Sequence, residues 1–200
     1  LSRPTSVRIY AIGEGTEENM VDYGWIIDAS TRKRVWSMNY RDTEHAGGAE
    51  KNRLVDRVIR LDRGNYLVYF TTDGSHSYEE WNAAPPLDET HWGISIYPAT
   101  DNDRVALQSY REARDAAVIA QLIKVGDDAD ARARFNLDRA TEVRIYAIGE
   151  GSDDDMFDYA WIENARTRER VWEMRYDETE HAGGADKNRQ ANAVLRLGAG

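Results

Sequence analysis

Two hundred residues with 41% hydrophobic and 10% aromatic content can bury a packed core, which excludes a disordered chain. A formal net charge of −10 excludes the basic face that phosphate binding needs, so no nucleic acid partner is expected and cations are. No apolar run reaches the length of about 18 residues that a membrane-spanning helix requires, and the lack of cysteine leaves the compartment undecided.

Taken in chain order, strands dominate. Ser6 to Ile12 sets Val7, Ile9 and Ala11 against Arg8, Tyr10 and Ile12, the alternation of a half-buried strand. Tyr23 to Ile27 and Arg34 to Tyr40 flank the polar Asp28 to Lys33, with Trp25 and Trp36 on the two arms of a predicted hairpin. Val58 to Leu61, the turn Asp62-Arg63-Gly64-Asn65 and Tyr66 to Thr72 predict a second hairpin. Trp92 to Tyr97 supplies one more strand after the turn-rich Asn82-Ala83-Ala84-Pro85-Pro86. Asp103 to Ala117 spaces Val105, Leu107, Tyr110 and Ala113 as a thin helical stripe, with Asp101 or Asn102 as a cap, and is either a short helix or a linker. Val118 to Val125 and Ala131 to Leu137 predict two further strands around Gly126-Asp127-Asp128. Short strands roughly ten residues apart, broken by Gly, Asp, Asn and Pro, predict an all-β fold, an antiparallel β-sandwich of jelly-roll or immunoglobulin-like kind.

The chain repeats itself. Leu1 to Gly64 aligns without a gap on Leu137 to Gly200, with 39 of 64 residues identical; VRIYAIGEG and TEHAGGA are the longest shared stretches. That period suits a whole domain of roughly 100 to 150 residues rather than a solenoid unit. A first sandwich over 1–100, a linker or short helix over 101–117 and a partial second sandwich over 118–200 is the simpler division; a domain over 1–136 is the other. Both ends fall inside a repeat, as in a window cut from a longer array. The second copy is therefore expected to present an open sheet edge, able to template a strand from a neighbouring copy or the rest of a longer chain.

Four segments could carry chemistry. The acidic loop after each VRIYAIGEG strand offers Glu17, Glu18 and Asp22 in the first copy, with Glu14 nearby, and Asp153, Asp154, Asp155 and Asp158 in the second. Crowded carboxylates repel unless solvated or bridged, and Ca²⁺ accepts six to eight oxygens flexibly, so these seven residues are the candidate calcium ligands, although the spacing is not that of an EF-hand. A solvated loop is the alternative, and Asp22 and Asp158, each beside a strand-start tyrosine, are the most rigidly held. Asp73 to Asn82 places Ser75, His76 and acids together; a loop bonding its own backbone is the commoner use of such residues, metal binding by Asp73 and His76 comes next, and hydrolysis last. Thr43 to Ala49 and its twin from Thr179 combine a histidine, His45 in the first copy, with small residues that permit close approach or positive φ. Tyr78 and Trp81 could stack on sugar rings, whereas Trp25, Trp36, Trp161 and Trp172 lie on strands and are expected in the core.

A strand ending in Gly-Glu-Gly, an acidic loop, a Trp-bearing hairpin and the turn Gly64-Asn65-Tyr66 resemble, in outline, the tandem β-sandwich modules of secreted bacterial proteins and are similar to pre-peptidase C-terminal domains. The TEHAGGA and DGSHSYEEWNAAPP segments have no counterpart there. The resemblance implies a non-catalytic structural or accessory module outside the cell, often steadied by calcium. The expected function is thus a calcium-stabilised structural or adhesive repeat, filament-forming or part of an array. Carbohydrate binding through Tyr78 and Trp81 is the alternative, and a hydrolase using His76 or His45 the third.

Overall fold

The alternating segment that opens each repeat folds as a strand in both, because one of its faces is apolar at every second residue. The computed structural model describes residues 1–17, 19–110 and 117–200, which form two units, Leu1–Tyr110 and Arg111–Gly200. No helix among the described residues is long and apolar enough to cross a membrane.

In the first unit the strands are β1 (Thr5–Gly15), β2 (Met20–Asp28), β3 (Arg34–Ser37), β4 (Glu44–His45), β5 (Asn52–Leu61), β6 (Tyr66–Thr71) and β7 (Gly93–Pro98). β1 is central. β5 pairs with it from Thr5↔Leu61 to Glu14↔Asn52, and β7 takes the opposite edge from Val7↔Pro98 to Ala11↔Ile94. β2 touches β1 only at the far corner, Glu14↔Asp22 and Gly15↔Met20, and then runs between β3 and β6. The result is all-β, two curled antiparallel sheets joined at one corner in the manner of a sandwich. Ile9, Ala11 and Val55 from the first sheet meet Tyr23, Trp25, Ile26 and Ile27 from the second, and Met38 completes this buried cluster. Trp25 stacks on Tyr69, ring centroids 5.3 Å apart. The predicted Trp25–Trp36 hairpin is β2–β3, with Ile26 opposite Trp36.

Three sequence expectations are corrected. β5 and β6 do not form a hairpin: the Asp62–Asn65 turn carries the chain from one sheet to the other, anchored by Gly64 N–H to Leu1 O (3.1 Å) and Ala29 N–H to Asn65 O (2.8 Å). Val118–Val125 and Ala131–Leu137 are not strands. Val118, Ile119, Leu122, Ile123 and Val125 are exposed, and a segment apolar on both faces needs cover on both to repay its ordering entropy. The helix is a single turn, α1 (Asp101–Arg104); residues 105–110 leave it, with Val105 74% and Tyr110 41% exposed, and residues 111–116 of the predicted helix lie outside the described residues.

The second unit contains β8 (Thr141–Ser152), β9 (Asp155–Asp158), β10 (Trp161–Glu163), β11 (Arg170–Glu173), β12 (Glu180–His181) and β13 (Asn188–Leu197). β8 and β13 pair from Thr141↔Leu197 to Glu150↔Asn188, the register of β1 and β5 residue for residue. The counterpart of β2 is divided into β9 and β10, and among the described residues no strand takes the β8 edge that β7 occupies on β1. That edge is open. Apolar residues feel the difference: Ile12 is 1% exposed and its twin Ile148 62%, Trp25 8% and Trp161 40%.

Candidate metal centre

Glu14 and Asp22 face each other directly across the β1–β2 corner. Like charges in that position repel, so the backbone must hold them there. The flanking glycines let β2 come that close: a Cβ on Gly13 would lie 2.0 Å from the Asp22 carbonyl oxygen, and one on Gly15 2.6 Å from Met20 Sδ. A bulge between Glu14 and Gly15 turns the strand at the same point. Asp73 arrives from the end of β6, and its backbone N–H donates to Asp22 Oδ1 at 2.8 Å. One carboxylate oxygen from each of Glu14, Asp22 and Asp73 falls within 4.8 Å of the others.

Glu14 and Asp22 are buried while Asp73 is exposed, so the cluster is open on one side. Lys51 Nζ lies 3.0 Å from Glu14 Oε1 and donates to Asn82 Oδ1 at 2.8 Å. One ammonium against three carboxylates leaves an excess of two negative charges when all are ionised. Burial pushes the Asp22 carboxyl up to about 7, and the charges of Asp73 and Glu14 add to that, against the Asp73 N–H and Lys51, which pull it down. Among the described residues, Glu14 Oε2 and Asp22 Oδ2 are buried with no hydrogen-bond partner. An orphaned buried carboxylate oxygen is costly, and a hard cation is what such oxygens satisfy. The residues therefore fit a metal bound through oxygen.

The centre draws on two segments that the sequence presents separately. Of the seven candidate ligands, Asp22 lies in it; Glu17 is exposed on the β1–β2 connection and Glu18 lies outside the described residues. Asp153 and Asp154 are exposed and form the two-residue turn between β8 and β9, at φ 51° and 70°; Asp155 is exposed opposite Ser152. Asp158 faces Glu150 as Asp22 faces Glu14, with Lys187 Nζ 2.9 Å from Glu150 Oε1, but Asp158 is exposed. Glu14 was not among the seven candidates, although the glycines on either side of it mark the close approach of β2. Asp73 was not tied to it by any spacing, because 51 residues separate it from Asp22.

His76 is fully buried beside the centre without joining it. Asn52 spends its amide protons on Gly47 O (2.8 Å) and Ala84 O (3.0 Å), leaving Oδ1 for His76 Nε2 at 2.9 Å; Nδ1 stands 2.9 Å from Asn82 Oδ1. Ser75 Oγ donates to Asp73 at 2.9 Å, so Ser75 and His76 are committed to different partners. Trp81 packs edge-on against His76 and Trp92, at 4.8 and 5.0 Å between ring centroids, while Tyr78 is exposed. His45 Nε2 faces Ala49 O at 3.0 Å within its own loop. Comparison with protein-family models, curated proteins and solved structures returns no match for this chain.

Proposed function

We propose that this chain is a non-catalytic, repeat-built β-sandwich protein that acts structurally or adhesively outside a bacterial cell, with Ca²⁺ bound by Glu14, Asp22 and Asp73. Two buried carboxylate oxygens, Glu14 Oε2 and Asp22 Oδ2, support the metal. Three carboxylates supply hard oxygens from two segments distant in sequence, so an ion there would tie the end of β6 to the β1–β2 corner. Water would complete the six to eight oxygens that calcium takes. The duplication supports an array, and the open β8 edge supports pairing with a strand from a neighbouring copy or from further chain.

Thermal unfolding with calcium and with EDTA tests the reading. Calcium at about a hundred times its Kd stabilises by about 2.7 kcal/mol, a shift of several degrees. Asp22→Asn should abolish that shift. It should also raise the melting temperature in EDTA, because the buried carboxylate it removes is ionised against a desolvation cost. A melt indifferent to calcium, or a shift that survives Asp22→Asn, would remove the ion.

A further inference from the structure

Lys51, Asn82 and Glu14 meet at the edge of the acidic centre. Lys51 Nζ donates to Asn82 Oδ1 at 2.8 Å and lies 3.0 Å from Glu14 Oε1. A C=O bond is about 1.23 Å long, so Asn82 Cγ lies within about 4 Å of that amine, close to the roughly 3 to 3.5 Å at which such atoms react. The backbone holds both residues in place. Gly15 N–H donates to Lys51 O at 2.9 Å, and Ala49 N–H and Asn52 Nδ2 both reach Ala84 O, at 3.0 Å, just beyond Asn82.

Amide exchange needs an amine as nucleophile, a carbonyl carbon as electrophile and a group that moves protons between them, and these three side chains supply them. His76 adds a fourth part. Its Nδ1 stands 2.9 Å from Asn82 Oδ1, where a proton on Nδ1 stabilises the negative charge that develops on that oxygen during attack. The ring is fixed through Nε2, 2.9 Å from Asn52 Oδ1, and Trp81 and Trp92 pack edge-on against it at 4.8 and 5.5 Å between centroids. Lys187 and Glu150 form the matching pair of the second repeat at 2.9 Å, but their side chains are 55% and 31% exposed, against 24% and 10% for Lys51 and Glu14. Less water therefore surrounds the first pair.

We propose that Lys51 and Asn82 join through an intramolecular isopeptide bond, with Glu14 as the proton carrier and His76 as the oxyanion donor. Lys51 Nζ attacks Asn82 Cγ; the Nζ–Cγ bond forms and the Cγ–Nδ2 bond breaks. The lysine ammonium gives up two protons in the step, and Glu14 carries both to Nδ2, which leaves as ammonium while Glu14 ends as the carboxylate it began as. No oxidant, metal or further reactant takes part, so the bond stands or falls apart from calcium. It would close residues 51–82, with β5, β6 and the crossing between the sheets, into one covalent loop, and a pull along the chain would bypass those strands.

The mass of the whole chain, purified in EDTA and measured unfolded, reads the bond directly. It should fall short of the sequence mass by one ammonia, and trypsin should release Asp42–Arg53, uncut after Lys51, joined to Gly64–Arg104. Lys51→Arg should restore the full mass, whereas Lys187→Arg should keep the deficit. Glu14→Gln should slow bond formation at least about a hundredfold when the mass is followed after cell-free synthesis. The full sequence mass in the unsubstituted chain, a deficit without the joined peptides, or a bond that forms as fast in Glu14→Gln overturns the proposal.

Discussion

Asp28 shows how one side chain sets a turn, and its twin supplies the control. Its Oδ1 accepts from the N–H groups of Ser30 (2.8 Å) and Thr31 (2.7 Å) and from the Ser30 hydroxyl (2.6 Å). In the second repeat Asn164 Oδ1 holds the N–H groups of Arg166 and Thr167 at 2.9 and 3.0 Å, so the turn needs the oxygen rather than the charge. Burial pushes the Asp28 carboxyl up, but the Ser30 hydroxyl and the Thr31 bonds outweigh it and hold it below its ordinary value of 3.8. A depressed folded pKa gives stability that is present above the unfolded pKa and lost as the pH falls through the folded one. Asp28→Asn should therefore cost about 1 kcal/mol near pH 7 and less near pH 3. Urea unfolding at the two pH values checks this, and an equal cost at both would mean that the charge contributes nothing. The same scale explains what the sequence disclosed of the metal centre. Asp22 was legible from its crowded segment and rigid strand, whereas the membership of Asp73 rests on β6 leaving one sheet for the other, which no local pattern encodes.

Elements follow local chemistry closely where they are built locally. The β8–β9 hairpin is an example: Asp153 and Asp154 take positive φ at both central positions, as a type I′ turn demands, and aspartate tolerates that geometry less well than Asn-Gly does. Asp153→Asn with Asp154→Gly should raise stability by about 1 kcal/mol, read as a higher denaturation midpoint. It should leave any calcium response unchanged, since both residues face solvent at the turn; a lost response would place the ion in this loop after all. Strand identities in Ser6–Ile12, Tyr23–Ile27 and Trp92–Tyr97 were legible for the same reason, because a two-residue period survives in any sandwich. Partners were less so. Proximity in sequence suggested pairing β5 with β6, yet β5 pairs with β1, because the apolar residues of Leu67 and Tyr66 pack into the core from the opposite sheet.

At the scale of the molecule, duplication provides an internal comparison. The nonapeptides Val7–Gly15 and Val143–Gly151 are identical, so their amides have nearly the same intrinsic exchange rates and differ only in surroundings. Around the first, β5 and β7 cover both edges and Ile9, Ala11 and Ile12 are buried completely or almost so. Around the second, β13 covers one edge, Ile148 is 62% exposed, and of the apolar side chains only Val143 is buried. Protection depends on the free energy of local opening, which falls with the apolar contacts that opening breaks. Exchange measured by mass spectrometry on the monomer should thus be at least about tenfold faster for the second nonapeptide than for the first. The difference should narrow if a strand is supplied to the β8 edge, because an added ladder protects amides on that side and buries the residues beside them. Equal exchange in the isolated monomer would mean that the identical sequence carries its own protection, and that β7 and the second sheet add little to the stability of β1.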